Sequence, residues 1–169
     1  MSMLRLIKTG TTLIVVVLVL AACGSADETG SITGSEARTR LSANKSSAQF
    51  GDYEILVIAM STADLTPEVA QGYDIVRSEN KGLVNLVVLR KAADNANTPI
   101  SAKVRVSAAN LTGQLKSMEL REIIDGPSIY YIGVITVDHR ETIKFDFDVQ
   151  PEGSSQVLLI RFMHEFYTK

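Results

Sequence analysis

The chain has 169 residues, a formal net charge of −2, a single Cys and only two His. A lone Cys excludes a disulfide framework, and a balanced charge with no basic block argues against nucleic acid as a partner. Behind an apolar leader and a polar stretch, about 120 residues remain, which suits one domain with one core.

Arg5 and Lys8 precede the ten-residue apolar run Leu13–Ala22, which ends in small side chains. A basic start, a short apolar stretch and small residues after it make a secretory signal, here residues 1–22. A spanning helix needs roughly 20 apolar residues, so the run is too short for a stable anchor. The run closes on Leu20-Ala21-Ala22-Cys23-Gly24, which resembles the lipobox of bacterial lipoproteins. The resemblance implies removal of the leader and lipid attachment at Cys23. Acylation also disposes of a lone thiol that would be a disulfide hazard in an oxidising compartment. Two or more acyl chains are needed for stable anchoring. Gly24, where Asp favours inner-membrane retention in enteric-type relatives, implies the outer membrane, facing the periplasm. The inner membrane is the alternative.

Residues 23–47 are rich in Gly, Ser, Thr and Ala. Such a stretch buries too little apolar surface to offset the entropy of ordering. It is expected to be a flexible tether with an r.m.s. span of about 25–30 Å.

From residue 48 to 169 the dominant period is two. In Ile143-Lys144-Phe145-Asp146-Phe147-Asp148-Val149 apolar and charged residues alternate strictly, as in a strand with one dry and one wet face. Lys103-Val104-Arg105-Val106 follows the same logic. Leu83–Leu89, Ile129–Ile135 and Val157–Ile160 are apolar on both faces. They read as central strands covered on the second face. Gly133 inside its run suggests a bulge. One short helix is expected, capped by Thr66, with Pro67 at its first position and Gly72 at its end. Asp138-His139-Arg140 reads as a hairpin turn. Strands are expected near 52–60, 74–78, 83–91, 100–109, 115–123, 128–137, 142–149 and 156–166, separated by Gly-, Pro- and Asn-containing breakers. The pattern predicts an all-β, antiparallel sandwich of seven to eight strands, with a small barrel as the alternative.

An ordered set of short segments runs through the domain: Phe50-Gly51-Asp52-Tyr53-Glu54, Leu65-Thr66-Pro67-Glu68-Val69-Ala70, Arg77-Ser78, Gly82-Leu83-Val84-Asn85, Asn110-Leu111-Thr112-Gly113-Gln114, Glu122-Ile123, Ile129-Tyr130-Tyr131-Ile132 and Phe166-Tyr167. The set resembles the DUF4426 family of proteobacterial envelope proteins. Met60-Ser61-Thr62-Ala63-Asp64 departs from the pattern, which has an Asn-Ser/Thr pair there. The resemblance implies a periplasmic, immunoglobulin-like fold and no particular activity.

Catalytic chemistry finds little to work with. Cys23 is assigned to lipid, no Gly-x-Ser-x-Gly elbow occurs, and His139 and His164 are the available imidazoles. His139 falls in the expected turn, and His164 shares strand parity with Phe162 and Phe166. No close-spaced His pair points to metal. Met60, Met118 and Met163 are soft donors but are more commonly core filler. Asp146 and Asp148 read as a solvated face. The candidate binding surface consists of Arg77, Asn80, Asn85, Asn110, Tyr130 and Tyr131, the polar and aromatic residues nearest the apolar runs. The competing reading is that the Asn side chains serve turn backbone. The chain is therefore expected to be a non-enzymatic envelope lipoprotein, with no cofactor beyond the lipid. It would be held to a membrane by acyl chains and would bind an envelope protein or other component. A periplasmic small-ligand or metal-binding protein is the alternative, and a hydrolase ranks below it.

Overall fold

The computed structural model describes residues 37–40, 46–92 and 96–168. Cys23 and the segment expected to be a signal peptide lie outside the described residues, as does most of the stretch read as a tether.

The described residues form two stacked sheets, so the sandwich reading holds and the barrel does not. The strands are β1 (Ala37–Arg40), β2 (Ser47–Phe50), β3 (Tyr53–Ser61), β4 (Lys81–Lys91), β5 (Asn97–Pro99), β6 (Ala102–Asn110), β7 (Leu115–Lys116), β8 (Arg121–Asp125), β9 (Ser128–Thr136), β10 (Glu141–Pro151) and β11 (Leu158–Phe166). One sheet runs β1-β11-β10-β6-β7. The other runs β2-β3-β4-β9-β8, with β5 beside β4. Every pairing is antiparallel except β1 with β11.

The alternation in β10 is realised residue by residue. Ile143, Phe145, Phe147 and Val149 are buried between the sheets. Asp146 and Asp148 face outward and meet Arg161 at 2.5 Å and Arg105 at 2.9 Å. Phe145 stacks on Phe147 and on Phe162, each at 6.1 Å between centroids. Ile55, Val57, Val84, Leu86 and Val88 supply the opposite wall.

β4 and β9 are apolar on both faces because two cores share their sheet. On its outer face Leu83, Ile132 and Ile75 form a second cluster, joined by Met60, Leu65, Tyr73, Ile123, Tyr130 and Val134. The lid over this cluster is the segment between β3 and β4. It holds a short 3-10 turn, Thr62–Asp64, and helix α1, Pro67–Gly72. The cap is as expected, with the Thr66 hydroxyl accepting from Val69 N and Pro67 in the first turn. Thr62, fully buried, fastens the lid: its hydroxyl donates to Ser78 O and accepts from Ser78 N.

Four expectations need correction. Residues 74–78 form no strand. Ile75 alone turns inward, Val76 is 68% exposed, and the segment runs as irregular lid. The expected strand 115–123 is split: β7 belongs to one sheet and β8 to the other, with Met118–Leu120 crossing between them. That crossing also explains Gly133. The register between β4 and β9 is continuous, so there is no bulge. Instead, a Cβ at Gly133 would lie 2.6 Å from Met118 Cε and 2.7 Å from Glu119 O. Glycine is needed there to let the crossover pass beneath β9. Finally, Asp138–Arg140 closes no hairpin. β9 and β10 lie in different sheets, and the turn carries the chain from one to the other. The strand count rises above eight because β2 and β5 are short edge pieces, and because β1 falls inside the stretch expected to be a linker. Ala-Arg-Thr-Arg has no apolar alternation to announce a strand; β1 is set by backbone pairing to β11.

Candidate functional site

The six candidate surface residues do not converge. Arg77 donates from Nη2 to Ala63 O at 2.8 Å, pinning the lid. Asn80 accepts from the Ser78 hydroxyl at 2.5 Å, while its carbonyl takes Val137 N at 3.0 Å. Asn110 organises the β6–β7 turn. Its Oδ1 accepts from Gln114 N at 2.9 Å and from the Thr112 hydroxyl at 2.7 Å, and Gly113 supplies a φ of +87°. The Arg77 and Asn110 side chains serve local backbone, the ordinary work of such residues in turns, while the Asn80 side chain meets the Ser78 hydroxyl. Asn85 lies on the outer face of β4, opposite Ile132 and Ile58, with no hydrogen-bond partner for its Oδ1. Tyr130 shares that face and meets Tyr73 edge-on at 6.5 Å.

Tyr131 points the other way, into the gap between the sheets, and is only 4% exposed. Its hydroxyl accepts from Ala102 N at 2.5 Å and donates to Glu122 Oε1 at 2.6 Å. Burial, and then the bond to Glu122, push its pKa up to about 12. Glu122 itself is exposed at the edge of β8. Beside it a cleft of about 340 Å³ is lined by Ser101, Lys103, Gln150, Glu152 and Ser154 among others. This polar seam is one feature the sequence reading did not find. The Tyr130-Tyr131 pair was visible, but which ring faces inward depends on the sheet that covers it.

A second polar network sits at the far end of β6. Lys116 Nζ meets Glu141 at 2.8 Å, and the two side chains are only 15% and 11% exposed. Glu141 also accepts from Asp138 N at 2.9 Å and from Asn110 Nδ2 at 3.2 Å. Burial pushes the Glu141 pKa up, but the bonds from Lys116, Asp138 N and Asn110 outweigh it and hold the carboxyl below its ordinary value. The network ties the edge strand, the β6–β7 turn and the inter-sheet crossover together.

The imidazoles are used structurally. His139 Nδ1 contacts Thr168 O, and its ring meets Tyr167 edge-on at 6.4 Å. His164 stacks on Phe162 and lies edge-on to Phe166 at 4.7 Å; burial lowers its pKa. The methionines are dispersed. Met60 lies in the outer cluster, Met118 against the inner core, and Met163 on β11 opposite Lys144. Among the described residues, no three His, Cys, Asp or Glu side chains are grouped as metal ligands would be.

A family model described as a domain of unknown function, DUF4426, matches residues 47–169. The chain belongs to the DUF4426 family. A crystal structure of a DUF4426 family protein from Pseudomonas aeruginosa PAO1 superposes with a TM-score of 0.62. It is 28% identical, and the match covers 73% of this chain and 94% of that one. No curated protein matches the chain. In this DUF4426 member five of the eight quoted family segments contribute to three structural devices. Gly82 and Phe166 form one: a Cβ at Gly82 would lie 2.6 Å from Phe166 Cζ, so the glycine makes room for the ring. Asn110–Gln114 form the second, the ordered turn above. Tyr131 and Glu122 form the third.

Proposed function

We propose that this DUF4426 member is an envelope lipoprotein, acylated at Cys23 and facing the periplasm from the outer membrane, whose sandwich is a non-catalytic module for binding another envelope component. The observation that carries the reading is Leu20-Ala21-Ala22-Cys23-Gly24 directly after a basic start and a ten-residue apolar run. Small residues before the only thiol of the chain are the chemistry a lipid-attaching pathway requires. The engagement of His139 with Thr168 and of His164 with two phenyl rings supports a binding role over an acid–base one.

The test has two arms. Labelled palmitate should enter the wild-type chain and not Cys23→Ser, and density fractionation should place the labelled chain with outer-membrane markers. In-cell crosslinking followed by mass spectrometry should then recover an envelope component that is lost with Cys23→Ser. Unchanged labelling in Cys23→Ser would remove the lipoprotein assignment.

A second reading is favoured by the cleft that Glu122 lines together with Ser101, Lys103 and Gln150, a small polar-ligand site whose Glu122 accepts from the Tyr131 hydroxyl. Native mass spectrometry of protein released without denaturation would show a retained small molecule. Its loss in Glu122→Gln would favour this reading over the first.

A further inference from the structure

The two sheets do not close equally on both sides. On one side β11 is lined by β1 over Leu158–Arg161. On the other, β6 is paired only at Ala108 and Ala109, by β7. From Ala102 to Ser107 no strand among the described residues covers β6 on that side, whereas its opposite side is paired with β10 throughout.

Backbone parity shows which groups are on offer. Ala102 N donates to the Tyr131 hydroxyl, and Asn110 N to Gln114 O, both on the β7 side. Amides alternate sides along a strand, so the N–H and C=O of Val104 and Val106 point to the same open side. The Tyr131 hydroxyl already does for Ala102 what the carbonyl of a neighbouring strand would do. Side chains alternate too: Val104 and Val106 turn inward and are half-buried, while Lys103, Arg105 and Ser107 are exposed on the wet face. Across the gap, Ile124 of β8 is 68% exposed.

Two of the other edges are less available. β8 is overlaid by the lid, with Tyr73 bonded to Asp125 at 3.0 Å and Arg121 bonded to Tyr73 O. β2 is four residues long.

We propose that the open edge of β6 between Lys103 and Ser107 accepts an extended segment of a partner protein as an added strand, and that this segment carries Asp or Glu on its outward face and apolar residues on its inward face. Strand addition draws affinity from main-chain hydrogen bonds and specificity from alternate side chains. Charge decides the occupant. Among the described residues Lys103 has no acidic partner and Arg105 pairs with Asp148 alone, its side chain 79% exposed. In a second copy paired antiparallel through the same edge, Lys103 and Arg105 would face Arg105 and Lys103 of the other strand. Like charges directly opposite destabilise a sheet, and charged edges are a known guard against self-pairing. An acidic strand meets no such penalty. The proposal rests on the binding-module reading and names its site and the chemistry of its partner.

The probes are two capped heptapeptides, one alternating Asp with Val and one alternating Lys with Val. They are added to the full chain purified in detergent, with residue-resolved amide exchange as the readout. The Asp–Val peptide should slow exchange at Val104 and Val106, and the Lys–Val peptide should bind at least tenfold more weakly. Joint Lys103→Glu and Arg105→Glu should reverse that preference. Val104→Pro removes a donor on the open side only, the position where an edge strand tolerates proline, and should abolish the protection while the fold is retained. Equal binding of the two peptides, or protection confined to other strands, would overturn the proposal. So would self-association that alone protects β6. If an envelope protein crosslinks equally to wild type and to Val104→Pro, the edge assignment falls while the module reading survives. If the Asp–Val peptide binds as expected but no envelope component crosslinks in cells, the edge stands and the wider reading falls.

Discussion

The two sides of the sandwich are built on different principles. The β11 side is dry: Phe166 fills the space that Gly82 leaves, and Phe145, Phe147 and Phe162 stack behind it. The β6 side is polar at both ends, with Tyr131 and Glu122 at one and Lys116 and Glu141 at the other. The dry side is held by area and shape, which no single hydrogen bond decides. The polar side is held by a few charge-assisted contacts, and between them a strand edge is left open among the described residues.

The sharpest way to break this contrast is through the dry side. Phe145→Ala should cost about 3–5 kcal/mol, the usual range for removing a fully buried aromatic. Gly82→Ala adds one carbon yet should cost about 1–3 kcal/mol, because the Phe166 ring must leave its rotamer to admit it. Urea denaturation gives both values. A Gly82→Ala chain as stable as wild type would show that the ring has room to move. Next is Lys116→Met, expected to cost about 3 kcal/mol because it leaves the Glu141 carboxylate buried without its cation. Glu141 adds a pH signature. Its folded pKa lies below the ordinary value of 4.5, so its contribution is complete above that value and is lost as pH falls through the folded one. Wild type should therefore lose stability in acid over a window in which Lys116→Met changes less.

How much of this was legible beforehand depends on what each residue faces. The alternation of β10 was legible because one face meets water and the other a core, so period two is written in hydrophobicity. The double-sided apolar runs of β4 and β9 were legible as covered strands. What covers them was not, since Ile75 is the one residue of 74–78 that turns inward and a single apolar residue carries no period. The break between β7 and β8 was hidden for a related reason. Lys116-Ser117-Met118-Glu119 holds no Gly or Pro, and the residue that pays sterically for the crossover is Gly133, on another strand. The candidate surface suffered from the same locality. Arg77, Asn80 and Asn110 stand beside apolar runs because turns do, and their side chains bond groups of the lid and turns beside them. Of the six, Asn110 and Tyr131 reach the polar contacts at the two ends of the open side, Asn110 through its Nδ2 bond to Glu141, and the inward direction of Tyr131 follows from the sheet it sits in.

Tyr131 provides a milder test. Tyr131→Phe keeps the ring and removes the hydroxyl that bridges Ala102 N and Glu122, and should cost about 1–2 kcal/mol for a buried donor left unpaired. The larger gain is in the alkaline limb. The folded pKa of about 12 stands above the ordinary value of 10. The native state therefore holds its proton more tightly than the unfolded chain does. The stability tied to that proton is complete below pH 10 and is lost as pH rises from there through about 12. Urea midpoints taken across that window should fall more steeply for wild type than for Tyr131→Phe. Parallel slopes would mean that the hydroxyl does not sense its burial.

The smallest effect belongs to the wet face between these two polar ends. Arg105 and Asp148 lie 2.9 Å apart, but their side chains are 79% and 42% exposed. Exposed pairs of this kind contribute about 0–1 kcal/mol, so Arg105→Ala should leave the urea midpoint almost unmoved. That near-silence separates two roles for the same residue. If the edge of β6 is kept for a partner, Arg105 matters for binding and not for folding. The Asp–Val peptide should then bind Arg105→Ala several-fold more weakly while stability stays level. A fall in stability with unchanged peptide affinity would reverse the assignment and make Arg105 a brace between β6 and β10.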